Sequence, residues 1–165
     1  MAGILPFSKV IKNNKQLVYF LFSRETLDQT SPVRGKWSDF GGSKDNNETK
    51  LQTATREGFE ESYGVFGSPA MLKQKIQKSS ITFTNGSYKT HLLEVPYDPR
   101  LPKYLENFYR FIKHEKKELI NQDGLFEKDK FKWIEINDLH NHLPIFRHWY
   151  REIVEKIIKN KKKFD

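Results

Sequence analysis

The chain has 165 residues, with 30% charged and 14% aromatic side chains, no cysteine, and 29 basic against 21 acidic residues, a formal net charge of +8. Thirteen Phe, seven Tyr and three Trp exclude general disorder, which is poor in aromatics. The lack of cysteine excludes disulfide scaffolds, Cys-ligated zinc, iron–sulfur clusters and thiol nucleophiles together. The length suits one domain spanning 1–165. No apolar run approaches the ~18–20 residues of a membrane span, and the start MAGILPFSKV is too short an apolar stretch for a secretory signal. A soluble cytoplasmic protein with no membrane partner is expected. Its positive balance favours anionic partners such as nucleotides or nucleic acid.

In chain order, residues 1–12 and 16–23 are predicted strands joined by a turn at Asn13-Asn14. Residues 24–36 read as a loop through Pro32 and Gly35, and 37–42 leads into a second loop. The pattern predicts a helix over 49–63, closed by Gly64. Residues 79–96 read as a hairpin turning at Asn85-Gly86. A charged helical stretch is expected over 102–119, then a strand over 131–136 with Phe131, Trp133 and Glu135 on one face. A basic amphipathic helix over about 144–163 would set Ile145, Trp149, Ile153, Ile157 and Ile158 on one face. The mixture points to an α+β fold, a mixed sheet flanked by helices.

The 49–63 helix carries the chemistry. Glu57, Glu60 and Glu61 fall at i, i+3 and i+4, on one narrow face. Leu51, Thr55, Gly58 and Ser62 form an adjacent small-residue face, suited to close packing on a sheet. Three like charges at this spacing repel and need a cation. Carboxylates suit Mg²⁺ or Mn²⁺, which keep waters and bind substrate phosphates. A solvated acidic face is the bland alternative.

The longer pattern is Gly42, five residues, Glu48, seven residues, Arg56-Glu57, then Glu60-Glu61 and Gly64. It resembles the Nudix box, and 37–42, Trp-Ser-Asp-Phe-Gly-Gly, resembles the family's W-x-F-P-G-G lead-in. Three positions depart from the pattern: Phe40 replaces Pro, Gly58 replaces a bulky aliphatic residue, and Tyr63 is one residue extra before Gly64. None removes a carboxylate.

The resemblance implies a Nudix-like mixed sheet sandwiched between helices, with a helical insertion at about 97–128. It implies hydrolysis of a diphosphate linkage, X–P–P, in a nucleotide or nucleoside diphosphate derivative. Glu57, Glu60 and Glu61, with the Gly41 carbonyl, are the implied ligands of Mg²⁺ or Mn²⁺. An ion pair between Arg56 and Glu48 would orient the helix. The general base is expected outside the box, with Glu127 the first choice and Glu118 the reserve. Arg34, Lys36 and Lys44 are candidate substrate-phosphate contacts. Two alternatives stand: RNA 5′-end processing such as mRNA decapping by the same chemistry, and a non-catalytic nucleotide- or RNA-binding module. A homodimer is a further expectation from the family.

The expected insertion mixes Lys103, Arg110, Lys113, Lys116 and Lys117 with Tyr104, Phe108, Tyr109 and Phe111. This suits RNA contacts, but an amphipathic helix turning its aromatics inward is the favoured reading. Lys159 and Lys161 to Lys163 form either a phosphate-binding tail or a frayed helix end. His140, His142 and His148 read as surface histidines rather than a zinc site.

Overall fold

The computed structural model describes residues 1–120 and 125–165. Among them, seven strands form one mixed sheet. Strands β1 (Ala2–Lys12) and β2 (Lys15–Glu25) make an antiparallel hairpin, pairing Phe7 with Phe20 and Lys12 with Lys15. Asn13 and Asn14 both take positive φ, as a two-residue hairpin turn requires. Short strands β3 (Trp37–Ser38) and β4 (Phe40–Gly42) pair with β2 and β1 respectively. Strands β5 (Thr82–Asn85) and β6 (Tyr88–Glu94) form the second hairpin, and β6 runs parallel to β1. Strand β7 (Lys128–Glu135) covers the far side of β2.

Alternation along the strands builds a core on each face of the sheet. On one face Phe7, Phe20, Phe22, Leu92 and Ile134 meet Ile153, Val154 and Ile157 of α4 (Arg151–Lys159). On the other, Ala2, Ile4, Leu21, Leu93 and Phe131 meet Ala54 of α1 (Lys50–Glu61). Leu72 and Ile76 of α2 (Pro69–Ser79) and Leu105 of α3 (Leu101–Glu115) complete that layer. The expected sheet between helices is present.

Several elements differ from expectation. The C-terminal α-helix spans Arg151–Lys159, not 144–163. A 3₁₀ segment, Leu139–Ile145, comes first. Phe146 is then extended and bridges Trp37, while the Arg147 N–H donates to the Trp37 carbonyl at 3.0 Å. That backbone pairing interrupts the helical periodicity. The lysine-rich end is a further 3₁₀ turn, Lys161–Phe164, rather than a frayed helix. Phe164 is buried edge-on to Phe7 and Phe20.

Helix α2 has no counterpart in the sequence reading. Its signals are local: Ser68 caps the Met71 N–H, Pro69 opens the first turn, and Leu72 and Ile76 sit four apart. The second hairpin turns at Gly86-Ser87, one residue later than expected, with Gly86 at φ +54°. The predicted 102–119 helix is α3 followed by a 3₁₀ turn, Lys117–Leu119. Its aromatics split: Tyr109 is buried beside Leu105 and Ile112, but Tyr104, Phe108 and Phe111 stay exposed. Residues 121–124 of the expected insertion lie outside the described residues. No described helix is long and apolar enough to cross a membrane.

Candidate active site

Helix α1 starts at a full capping box. The Thr49 hydroxyl accepts from the Gln52 N–H at 3.2 Å, and the Gln52 side chain accepts from the Thr49 N–H at 2.8 Å. The helix ends in a Schellman pair: the Gly64 N–H reaches the Phe59 carbonyl at 2.8 Å, and the Tyr63 N–H reaches the Glu60 carbonyl at 3.2 Å. Tyr63, the extra residue, takes the left-handed position at φ +57°. The α-helix therefore stops at Glu61, before the predicted 63.

Close backbone approach seats this helix on the sheet. A methyl group added at Gly58 would stand 2.5 Å from Ile4 Cδ1. One added at Gly42 would stand 2.6 Å from Glu57 Oε1. Glycine at both positions lets the carboxylate face of α1 close onto β4.

The result is a cleft of about 510 Å³. Gly41, Gly42, Ser43, Asp45, Arg56, Glu57, Glu60, Glu61, Glu127 and Arg147 line it. Arg56 stands at its centre of charge. Its Nε and one amino group hold Glu48 at 2.9 and 3.2 Å. The amino group that meets Glu48 also donates to the Ser43 carbonyl at 2.9 Å, and the other lies 3.0 Å from Glu57 and 3.1 Å from Glu60. The Arg56 guanidinium holds Glu48 down at about 2. Burial pushes Glu57 up to about 7, against the pull of Arg56. Glu60 is also raised, mainly by burial.

Glu61 is fully buried. The Gly41 N–H donates to one oxygen at 2.7 Å, and Lys128 Nζ lies 3.3 Å from the other. Burial raises its carboxyl well above the ordinary range. Burial also raises Glu127, helped by the nearby charge of Glu25. The Glu127 backbone is fixed by the Thr26 N–H, 2.8 Å from its carbonyl.

Sequence reasoning missed a buried charge network behind these carboxylates. Glu25 at the end of β2 holds both Lys128 and Arg147, and Lys128 also meets Glu61. Burial alone would lower Lys128, but Glu61 and Glu25 outweigh it and raise it. A bulge between Arg24 and Glu25 sets Glu25 opposite Lys128. These residues lie more than a hundred positions apart, Glu25 to Lys128 by 103 and Glu25 to Arg147 by 122, so no local spacing announces them.

The structure brings the box residues and Glu127 to one cleft, with Glu48 supporting Arg56 from behind. It does not bring Arg34, Lys36 or Lys44 there; all three are exposed and outside the lining. Glu118 is exposed on the 3₁₀ turn, also outside it. His142 is spent on Lys132 and the Asp138 carbonyl, each at 2.9 Å. His148 lines a separate surface hollow with Asn85 and Trp149.

Among the described residues no three His, Asp or Glu side chains converge as a ready-made ion cage. Glu57 and Glu60 lean on Arg56, and Glu61 on the Gly41 N–H and Lys128. The donor set nonetheless fits Mg²⁺ chemically. That ion takes only one or two carboxylates, keeping waters and substrate phosphates for its other positions. Desolvation raises all three carboxyls, Glu61 buried and Glu57 and Glu60 half-buried, and a cation in the cleft would oppose that shift.

No family model matches the sequence, and no curated protein does. Solved structures do match. One is a mutT/nudix family protein from Listeria innocua, at 14% identity and TM-score 0.52, covering 98% of this chain and 92% of that one. Another is a Nudix hydrolase from M. smegmatis, at 13% identity and TM-score 0.54, covering 98% and 84%. The chain therefore has the Nudix fold. Within it, its likeness to these two proteins spans nearly the whole sheet-and-helix architecture at low sequence identity.

Proposed function

We propose that this chain is a hydrolase of phosphorus anhydrides, cleaving X–P–P in a nucleotide or nucleoside diphosphate derivative with Mg²⁺ or Mn²⁺. The observation that supports it most is the meeting of Gly41, Gly42, Arg56, Glu57, Glu60, Glu61 and Glu127 in one cleft.

Glu57, Glu60 and Glu61, with the Gly41 carbonyl, would hold the cation. Bound there, it would neutralise phosphoryl charge and acidify water. Arg56 is a positioning residue: its guanidinium is already committed to Glu48, Glu57, Glu60 and the Ser43 carbonyl. Arg147 is the second cation of the lining: Glu25 holds one amino group, and the other would meet a substrate phosphate. Glu127, raised by burial, takes the proton of the attacking water.

The test is phosphate release from free nucleotides, nucleoside diphosphate conjugates and 5′-capped RNA, each with Mg²⁺ or Mn²⁺. Turnover of one class, lowered about 10²–10³-fold in Glu61→Gln, is the expected result. Turnover of capped RNA alone would move the reading to 5′-end processing. Absence of metal-dependent turnover of every substrate would leave a nucleotide-binding module.

A further inference from the structure

The segment 37–42, which carries Gly41 into the cleft, makes a reversal. Strands β1 and β2 pair from Phe7 and Phe20 to their turn, and beyond that point the segment lies against both, β3 on β2 and β4 on β1. Each pairing is antiparallel, to strands that are themselves antiparallel, so the chain reverses at Asp39, the residue between β3 and β4. Asp39 is fully buried. Resting on the hydrolase reading, we propose that Asp39, Tyr88 and Thr90 form a bridge that positions Gly41 against Glu61 and thereby sets the affinity of the cleft for its cation.

The bridge crosses a strand. The Tyr88 hydroxyl donates to Asp39 Oδ1 at 2.6 Å, and the Thr90 hydroxyl donates to Oδ2 at 2.7 Å. Both donors belong to β6, on the other side of β1 from Asp39. Between them runs Gly3 of β1, paired with Gly41 on one side and with Thr90 on the other. A methyl group at Gly3 would stand 2.5 Å from the Tyr88 hydroxyl and 2.8 Å from Asp39 Oδ2. One at Gly41 would collide with the same hydroxyl. Two positions without side chains thus open the passage by which the carboxylate meets β6, and the Tyr88 hydroxyl rests directly on the Gly41 backbone.

Gly41 joins the bridge to the chemistry. Its N–H donates to Glu61 at 2.7 Å, and its carbonyl belongs to the proposed cation ligands. The Ser23 hydroxyl donates to the Asp39 carbonyl at 3.2 Å, so side chain and backbone are both tied two residues before Gly41. Stability alone does not call for this arrangement, because replacing buried hydrogen-bonding partners by apolar groups of the same shape can be nearly neutral. A fully satisfied buried network supplies a single geometry instead. Both oxygens of Asp39 are engaged, so its carboxylate has one orientation and the backbone after it one course. Groups that orient the ligands of a metal govern its affinity nearly as the ligands do.

The test uses Tyr88→Phe, which removes one hydroxyl and adds no bulk, and the isosteric Thr90→Val, which does the same at the other oxygen. Mn²⁺ affinity is read from the paramagnetic resonance of the free ion, and exchange of the Gly41 N–H by NMR. Ile153→Ala in α4 is the control for lost stability alone. The expected result is Mn²⁺ affinity lowered about 10–100-fold in Tyr88→Phe, with faster exchange at Gly41, while Ile153→Ala keeps the wild-type affinity. Wild-type affinity or wild-type Gly41 exchange in folded Tyr88→Phe overturns the proposal, and so does an equal loss of affinity in Ile153→Ala. If Tyr88→Phe does not fold, Thr90→Val decides by the same readings. If the wild-type protein binds no Mn²⁺, the hydrolase reading falls, and exchange at Gly41 alone decides whether the bridge positions it.

Discussion

Helices α1 and α4 pack on opposite faces of one sheet, and different forces hold them there. Helix α4 buries Ile153, Val154 and Ile157 completely, each worth about 1.5–3 kcal/mol. Helix α1 buries Thr53, Ala54, Thr55, Gly58 and Glu61 instead. It is secured by its capping box, the Arg56 ion pairs and contact between Gly58 and Ile4. A helix that must present carboxylates to a cleft cannot also present a broad apolar stripe. Its seat is made by small residues and charge, and so is sensitive to single atoms.

Substitutions separate the two seats. Glu61→Gln should lower turnover about 10²–10³-fold while leaving the melting temperature unchanged or higher, because a neutral amide of the same shape replaces a buried acid. Paired kcat and melting measurements check this. Ile153→Ala in α4 should do the reverse, costing about 2–5 kcal/mol in denaturant unfolding with kcat of the folded protein preserved.

His91 on β6 probes the polar side in a third way. It is buried, its Nε2 has no hydrogen-bond partner, and burial lowers it from 6.5 to about 4. Between those values the unfolded chain binds a proton that the folded chain refuses. Stability should therefore fall as pH drops from 6.5 towards 4, by at most about 1.4 kcal/mol per pH unit. Unfolding at a series of pH values should show this component vanish in His91→Leu.

The smallest effect is expected from Gly58→Ala. The gain in helix propensity, about 1 kcal/mol, is outweighed by overpacking against Ile4 at about 1–3 kcal/mol. Adding Ile4→Val, which removes only the Cδ1 contact, should recover part of the loss in a double-mutant cycle. Recovery of kcat as well would tie that contact to the placement of the carboxylates.

These contrasts track what was legible in the sequence. The carboxylate helix was readable because its chemistry is local: Glu57, Glu60 and Glu61 share a face by helical geometry alone. The Asn13-Asn14 turn was readable for the same reason. The end of the chain misled, since the apolar period from Ile145 to Ile158 continues across a backbone bridge between Phe146 and Trp37 that no period encodes. Helix α2 announced itself only through Ser68-Pro69 and two apolar residues. Glu25, Lys128 and Arg147 could not be read together, because their juxtaposition depends on sheet pairing and a bulge. The lysines and arginine chosen near the box, Arg34, Lys36 and Lys44, were near in sequence but not in space.

The bridge at Phe146 has a consequence for the order of folding. Arg147 reaches Glu25 through the segment that this bridge docks, so the cleft draws on positions from Gly41 to Arg147. Contacts of such separation form late, after local turns and helices. Helix α1 can therefore be complete while the cleft is still open at its far wall. Amide exchange should find the N–H of Arg147, bound to Trp37, protected with the sheet rather than with the nearby 3₁₀ turns. Competence of the cleft then arrives as one of the last acts of assembly, and local opening at this one joint would switch it off without unfolding the sheet.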